Sequence, residues 1–83
     1  MRYLSITGFY PDDKLDDSLQ FELTIKEPAV NEALAQLTES KSLEEIEPGE
    51  LELTGGQVAQ ISRLLKVDFP EGLEYFIGPR APS

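Results

Sequence analysis

The stretch from Ser18 to Lys26, SLQFELTIK, decides the fold. Four large apolar residues alternate in it with four polar ones: Leu19, Phe21, Leu23 and Ile25 against Gln20, Glu22, Thr24 and Lys26. Successive side chains of a β-strand point to opposite faces, so this period of two predicts a strand with one apolar and one polar face. Because an apolar face must be covered, we expect the sheet to be packed against the helical segments that follow.

Two helices are predicted after this strand. The first should run from Pro28 to Glu39, because proline suits the first helical position and the next apolar residues share one helix face. Those residues are Val30, Ala33, Leu34 and Leu37. The second helix should begin after Thr54, since Thr54-Gly-Gly-Gln57 has the form of a capping box. Its apolar face is formed by Val58, Ile61 and Leu65, with Leu64 alongside.

Strands are predicted at both ends of the chain. Residues 2–10 are rich in β-branched and aromatic side chains, and the polar turn that follows makes strands one and two a hairpin. A short extended piece is expected at Leu51 to Leu53, after a loop that Leu43 and Ile46 pin to the core. The last strand should run from Leu73 to Ile77 and end at Gly78-Pro79, which leaves residues 79–83 as a loose tail.

Together these elements predict a single α+β domain over residues 1–83. The order β-β-α-loop-α-β corresponds to a small antiparallel sheet of three to four strands, with two helices packed on one face. The opposite face of an antiparallel sheet can remain open to solvent. Which strand is central does not follow from the spacing.

Composition limits the classes of function. The 83 residues include no cysteine and no histidine, so neither a disulfide nor the usual Ser–His or Cys–His catalytic pairs are available. No apolar run approaches the roughly 18 residues of a membrane span, and the N-terminus lacks the pattern of a signal peptide. We therefore expect a soluble cytoplasmic protein that is not an enzyme, uses no cofactor and does not enter a membrane.

The chain is strongly acidic. Sixteen acidic residues against seven basic ones give a net charge of −9, and over residues 27–52 eight glutamates are opposed by Lys41 alone. Because nucleic-acid binding normally requires lysine and arginine to neutralise phosphates, direct nucleic-acid binding is disfavoured. Two interpretations remain: a solvated face that keeps a small domain soluble, or a surface that steers the protein towards a basic partner.

Two polar motifs have a structural interpretation beside a functional one. The loop of Asp12, Asp13, Asp16 and Asp17 could hold a hard cation, but it lacks the alternating spacing, the glycine and the final glutamate of a calcium-binding loop. It is more simply a solvated turn or an interaction loop. Thr54-Gly-Gly-Gln57 lacks the lysine of a phosphate-binding loop and follows Glu50 and Glu52, which favours the capping interpretation.

The aromatic residues are either core or interface. In the last strand Leu73, Tyr75 and Ile77 alternate with Glu74 and Phe76, which places Phe76 opposite the core face. An aromatic side chain among carboxylates would make a good protein-binding patch, because aromatic residues bury a large area at low entropic cost. In a small domain the same rings could simply complete the core. The residues concerned are Tyr3, Phe9, Tyr10, Phe69, Tyr75 and Phe76.

The C-terminal third, ELTGGQVAQISRLLKVDFPEGLEYFIG, together with the opening ITGFYPDD, resembles a group of small acidic bacterial proteins. These are the immunity-type proteins of bacteriocin and contact-dependent toxin systems. The resemblance carries no catalytic residues. It implies a mode of action, in which an acidic patch with aromatic residues blocks a basic, nuclease-like toxin domain.

The leading expectation is therefore a stoichiometric inhibitor with a basic protein partner. Its expected contact residues are Asp12, Asp13, Asp16, Asp17, Glu44, Glu45, Glu47, Glu50, Tyr75 and Phe76. Two alternatives remain open. One is a structural domain that could form a homodimer through an edge strand; the other is a nucleic-acid mimic that inhibits a protein complex.

Overall fold

A four-stranded antiparallel sheet and two α-helices make up the described part of the chain, residues 2–11 and 19–81 of a computed structural model. The elements in chain order are β1 Tyr3–Phe9, β2 Phe21–Thr24, α1 Pro28–Glu39, a 3-10 helix Leu43–Glu45, β3 Leu51–Glu52, α2 Gly55–Leu65 and β4 Glu74–Arg80. The predicted α+β class, the antiparallel sheet and the helices on one face are confirmed. Within the described residues no helix is long and apolar enough to cross a membrane.

The two terminal strands form the centre of the sheet. The strand order is β2-β1-β4-β3, and β1 pairs with β4 from Tyr3↔Arg80 to Phe9↔Glu74. The strand predicted from SLQFELTIK is thus an edge strand, paired only with β1. On the far edge, the two residues of β3 pair with Ile77 and Phe76 of β4.

One apolar cluster fills the space between the sheet and the helices. Its most buried members include Leu4 and Ile6 from β1, Ile77 from β4, Leu34 from α1 and Ile61 from α2. The connection between α1 and β3 is held to the same cluster by Leu43 and Ile46, as predicted. Burial of this apolar surface is the main force that stabilises a domain without disulfides.

The alternation of SLQFELTIK holds from residue 21 onwards and fails before it. Phe21 and Leu23 are partly buried on the core side and Ile25 is fully buried, whereas Leu19 is 45% exposed. The expected core position of Leu19 is therefore wrong. The backbone N–H of Gln20 still donates to the carbonyl of Gly8, but regular strand pairing begins only at Phe21, so the alternation of faces does not extend back to Leu19.

The last strand does not end at Gly78-Pro79 but continues to Arg80, so the predicted tail is wrong for residues 79 and 80. Proline lacks an N–H donor and is tolerated where a strand has no neighbour. Leu4, which opposes Pro79, directs its N–H and carbonyl to Asn31 and Ile25, away from β4. The nitrogen of Pro79 therefore points away from β1, to the side of β3, but β3 does not extend as far as Pro79. Ala81 has no regular structure, and residues 82–83 lie outside the described part.

Candidate protein-binding face of the sheet

The face of the sheet that lies opposite the helices, called the open face below, carries a row of side chains from all four strands. In the strand register Glu22 of β2 opposes Thr7, Thr7 opposes Phe76, and Phe76 opposes Glu52 of β3. Neighbouring strands are about 4.8 Å apart, so the two outer glutamates lie about 14 Å apart along this row. A central threonine and phenylalanine are thus bordered by a carboxylate on each edge strand.

An aromatic pair forms the apolar part of the open face. The rings of Phe9 and Phe76 stand 6.1 Å apart between centroids, with 66° between their planes. This edge-to-face arrangement is a favourable one for aromatic pairs. Both rings are only partly buried, and Phe76 lies opposite the core as its alternation with Tyr75 and Ile77 predicts.

A shallow groove runs beside this pair. It encloses about 640 Å³ and is called the open-face groove below. Its lining residues are Thr7, Phe9, Tyr10, Pro11, Leu19, Glu50, Glu74, Phe76 and Arg80. Thr7 is nearly buried, while Tyr10 and Leu19 are 41% and 45% exposed. A groove with aromatic and aliphatic walls and a few charged groups is typical of a binding site.

At one end of the groove the carboxyl group of Glu74 meets that of Glu52, which lies on β3 beside the lining residues. The pKa of Glu74 is raised above its usual value, first because its carboxyl hydrogen-bonds to that of Glu52, then through desolvation and the charge of Glu52. Close carboxylates disfavour ionisation of each other. The contact exists because β3 lies beside β4 and places Glu52 diagonally across from Glu74.

The other end of the groove is neutralised by an ion pair. The guanidinium of Arg80 donates to Oε1 of Glu50 at 2.5 Å. The backbone of residues 49 and 50 lies close to Gly78, where a Cβ would collide with the Glu50 carboxylate and stand 2.7 Å from the carbonyl oxygen of Gly49. Glycine at this position therefore permits Glu50 to reach Arg80. In contrast, neither Glu52 nor Glu74 forms an ion pair with a basic residue in the described ranges.

The predicted contact residues are not brought together on one surface. Phe76 and Glu50 both line the open-face groove, whereas Glu44, Glu45 and Glu47 are exposed on and after the 3-10 helix and do not line it. Glu45 accepts hydrogen bonds from the backbone N–H and the hydroxyl of Ser42, and these bonds lower the pKa of its carboxyl. The loop residues Asp12, Asp13, Asp16 and Asp17 lie outside the described residues.

Tyr75 is a core residue, so its predicted contact with a partner does not fit the fold. It is 5% exposed, its ring packs against Phe21 and Phe69, and its hydroxyl donates to the carbonyl of Pro70. Burial raises the pKa of this phenol. Alternation places Tyr75 and Phe76 on opposite faces, so the two could not both be exposed. The core interpretation is therefore confirmed for Tyr75, while Phe76 lies on the open face.

The expected contact residues leave out several residues of the open face, among them Glu52, Glu74 and Arg80, and Phe9 was named only as either core or interface. A partial signal exists for Glu52 and Glu74, because each stands between apolar residues in an extended segment and so points away from the core. Their contact with each other has no local signal, since it depends on the pairing of β3 with β4. Arg80 was assigned to the tail and becomes visible only once β4 is extended.

The chain has no histidine or cysteine, and within residues 2–11 and 19–81 no group of three or more acidic side chains is arranged to hold a metal ion. What the described residues present is an apolar groove with an anionic end and a neutralised end. Comparison of the chain with protein-family models, with curated proteins and with solved structures finds no match.

Proposed function

We propose that this protein is a stoichiometric, immunity-type inhibitor that binds a basic, nuclease-like toxin domain. The observation that carries the proposal is the open face, where the partly buried pair Phe9 and Phe76 is bordered by glutamates on both edge strands. The resemblance of the C-terminal third to immunity-type proteins supports the same function. So does the net charge of −9.

A nuclease active site is basic because it binds phosphates, and an acidic protein is steered towards it by long-range electrostatic attraction. Steering raises the association rate more than it lowers the dissociation rate. Aromatic side chains such as Phe76 then supply short-range affinity, because a few well-buried anchors dominate most protein interfaces.

The test has two steps. Tagged protein is first used to capture partners from the source organism at low and at moderate salt, with identification by mass spectrometry. Any basic protein retained in a one-to-one ratio is then purified and its nuclease activity titrated with the inhibitor. We expect complete inhibition at a molar ratio of one, and an association rate that falls as salt rises.

Matched variants connect the result to the open face. Phe76→Ser should weaken inhibition by about tenfold or more, since loss of an aromatic anchor typically costs over 1 kcal/mol. Glu71→Gln removes one charge from an exposed turn outside the groove and serves as the control. An acidic partner, or an association rate indifferent to salt, would refute the proposal.

The same material separates the alternatives. Competition by plain duplex DNA for a nucleic-acid-binding partner would favour a nucleic-acid mimic. A stable dimer in sedimentation, with no captured partner under conditions in which toxin genes are expressed, would favour a structural domain.

A further inference from the structure

We infer that the open-face groove binds an arginine-bearing segment of the partner protein, with the guanidinium between Glu52 and Glu74 on the ring of Phe76. An apolar neighbour of that arginine would contact the apolar wall of the groove that Tyr10 and Leu19 form. The inference rests on the proposed function for the identity of the partner. The chemistry of the groove supplies the rest.

Charge is unevenly distributed along the groove. Glu50 is neutralised by Arg80, but Glu52 and Glu74 contact each other and lack a described basic partner. A cation placed between two close carboxylates reduces the repulsion between their negative charges. The groove is therefore complementary to a cation at the Glu52–Glu74 end and not at the Arg80 end.

Phe76 lies beside both of these carboxyl groups. Glu52 is its direct cross-strand partner, and Glu74 lies two residues away on the same face. Opposite Cβ atoms in adjacent strands are about 5 Å apart, and next-but-one residues on one face are about 7 Å apart. A cation within about 6 Å of the ring centroid gains a cation–π interaction while both carboxylates remain within reach.

Two carboxylates beside one aromatic ring favour arginine over lysine. The guanidinium is planar, stacks on aromatic rings and offers several donors in a fixed fork, which suits two carboxylates beside one ring. The lysine ammonium is a strongly hydrated point charge that gains less from stacking. We therefore expect arginine to be preferred at this position.

The apolar wall of the groove complements an apolar side chain of the partner. Among the described residues the exposed large apolar side chains are Tyr10, Leu19 and Leu64, and the first two both line this groove. Their exposure costs free energy that an apolar side chain of the partner would recover. A segment with arginine beside leucine or valine matches both the carboxyl pair and this apolar wall.

Charge also excludes the other simple occupants. A second copy docking face to face would bring Glu22, Glu52 and Glu74 of each chain towards the same groups of the other. Like charges in an interface oppose binding. Nucleic acid is disfavoured for the same reason, which leaves a basic protein segment as the occupant.

The experiment uses a defined probe instead of the unidentified partner. Blocked pentapeptides of sequence GLRLG, GLKLG and GLQLG are titrated into the 15N-labelled full-length protein at low salt, and amide shifts are followed by NMR. We expect the arginine peptide to shift the amides of Thr7, Glu52, Glu74 and Phe76 in a saturable way. The glutamine peptide should bind about five- to tenfold more weakly, because it lacks the charge–carboxylate contacts.

Variants test the individual groups. Glu52→Gln and Glu74→Gln should each weaken the arginine peptide about threefold or more, as should Phe76→Leu, which keeps apolar volume but removes the ring face. In 0.1 M salt Glu39→Gln, at the end of α1 on the other side of the sheet, changes the net charge equally and should leave affinity within about 1.5-fold, since charges in water are screened beyond about 10 Å at that concentration. The spectrum of each free variant checks that the fold is retained.

Several results would overturn the inference. Equal binding of the arginine and glutamine peptides would remove the role of the carboxyl pair, and equal binding of the lysine peptide would remove the preference for arginine. Shifts confined to the 3-10 helix near Glu44 would place the basic segment elsewhere. An equal loss in Glu39→Gln would mean that only net charge matters.

Failure of this inference is distinguishable from failure of the proposed function. A toxin that is inhibited but whose binding ignores Phe76→Leu and Glu74→Gln would leave the function standing and refute the groove. If the groove binds the arginine peptide but the protein inhibits no nuclease, the proposed function is refuted and the groove assignment stands.

Discussion

The side chain of Asn31 takes the place of a neighbouring strand for the backbone of Leu4. Its Oδ1 accepts a hydrogen bond from the Leu4 N–H at 2.7 Å, at the point where β2 has ended. Its Nδ2 donates to the carbonyl of Ile25 at 2.9 Å and to that of Glu27 at 3.2 Å. This fully buried amide therefore joins the first turn of α1 to β1 and to the end of β2.

Replacement of this amide by leucine should destabilise the fold. Asn31→Leu keeps a similar volume but leaves the Leu4 N–H and the Ile25 carbonyl without partners, and each unsatisfied buried group costs about 1–3 kcal/mol. We expect the free energy of unfolding in urea to fall by about 2–4 kcal/mol. Gln36→Leu, on the exposed side of the same helix, should change it by less than about 0.5 kcal/mol. A change at Asn31 no larger than this control would show that water satisfies the freed groups.

A methyl group at Gly8 should disturb the aromatic core. A Cβ there would stand 2.8 Å from Cε1 of Tyr75 and 3.1 Å from Cβ of Phe21. Overpacking of this kind typically costs about 1–3 kcal/mol, so Gly8→Ala should lower the unfolding midpoint and weaken the near-UV circular dichroism of Tyr75. Gly56→Ala in α2 is the control, because its Cβ meets only Thr54 Oγ1 at 3.9 Å and alanine favours helix. Equal stability of the two variants would contradict the close approach at Gly8.

The cap of α2 can be tested at Thr54. Its Oγ1 accepts from the N–H of Gln57 at 3.1 Å, and the Gln57 side chain accepts from the N–H of Thr54 at 2.9 Å. Thr54→Ala removes the first bond and should cost about 1 kcal/mol in thermal or urea unfolding. Thr54→Ser keeps the hydroxyl and should cost only a few tenths of that amount. If serine is no better than alanine, the cap does not stabilise the helix.

The carboxyl pair on the open face should give stability an unusual dependence on pH. The pKa of Glu74 is raised above its ordinary value of 4.5 by Glu52, so the folded state holds this proton more tightly than the unfolded state. This contribution is fully present below pH 4.5 and is lost as pH rises through the raised pKa.

Glutamine does not titrate, so Glu74→Gln should lack this loss of stability with rising pH. Its melting temperature relative to the wild type should therefore rise as pH increases from about 4 to 7. Glu45→Gln should behave oppositely, since hydrogen bonds from Ser42 lower the pKa of Glu45 and stabilise the fold above 4.5. Parallel melting curves of the wild type and Glu74→Gln across this range would show that the two carboxyl groups do not interact in solution.

The sequence by itself predicts the elements whose causes are local. The bounds of α1 at Pro28 and Glu39 follow from proline at the first position and an apolar stripe within three turns. The cap at Thr54 follows from residues three apart. Alternation over a few residues likewise places Phe76 opposite the core. Each of these signals depends only on neighbours along the chain.

Tertiary structure decides what depends on residues distant in the chain. The strand order, the extension of β4 through Pro79 and the contact of Glu52 with Glu74 all follow from which strands pair. Asn31 is polar and breaks the apolar pattern of α1, yet it is buried because β1 offers an N–H that β2 does not reach. Strand pairing is set by the burial of a shared core and by register between distant segments, which no local spacing encodes.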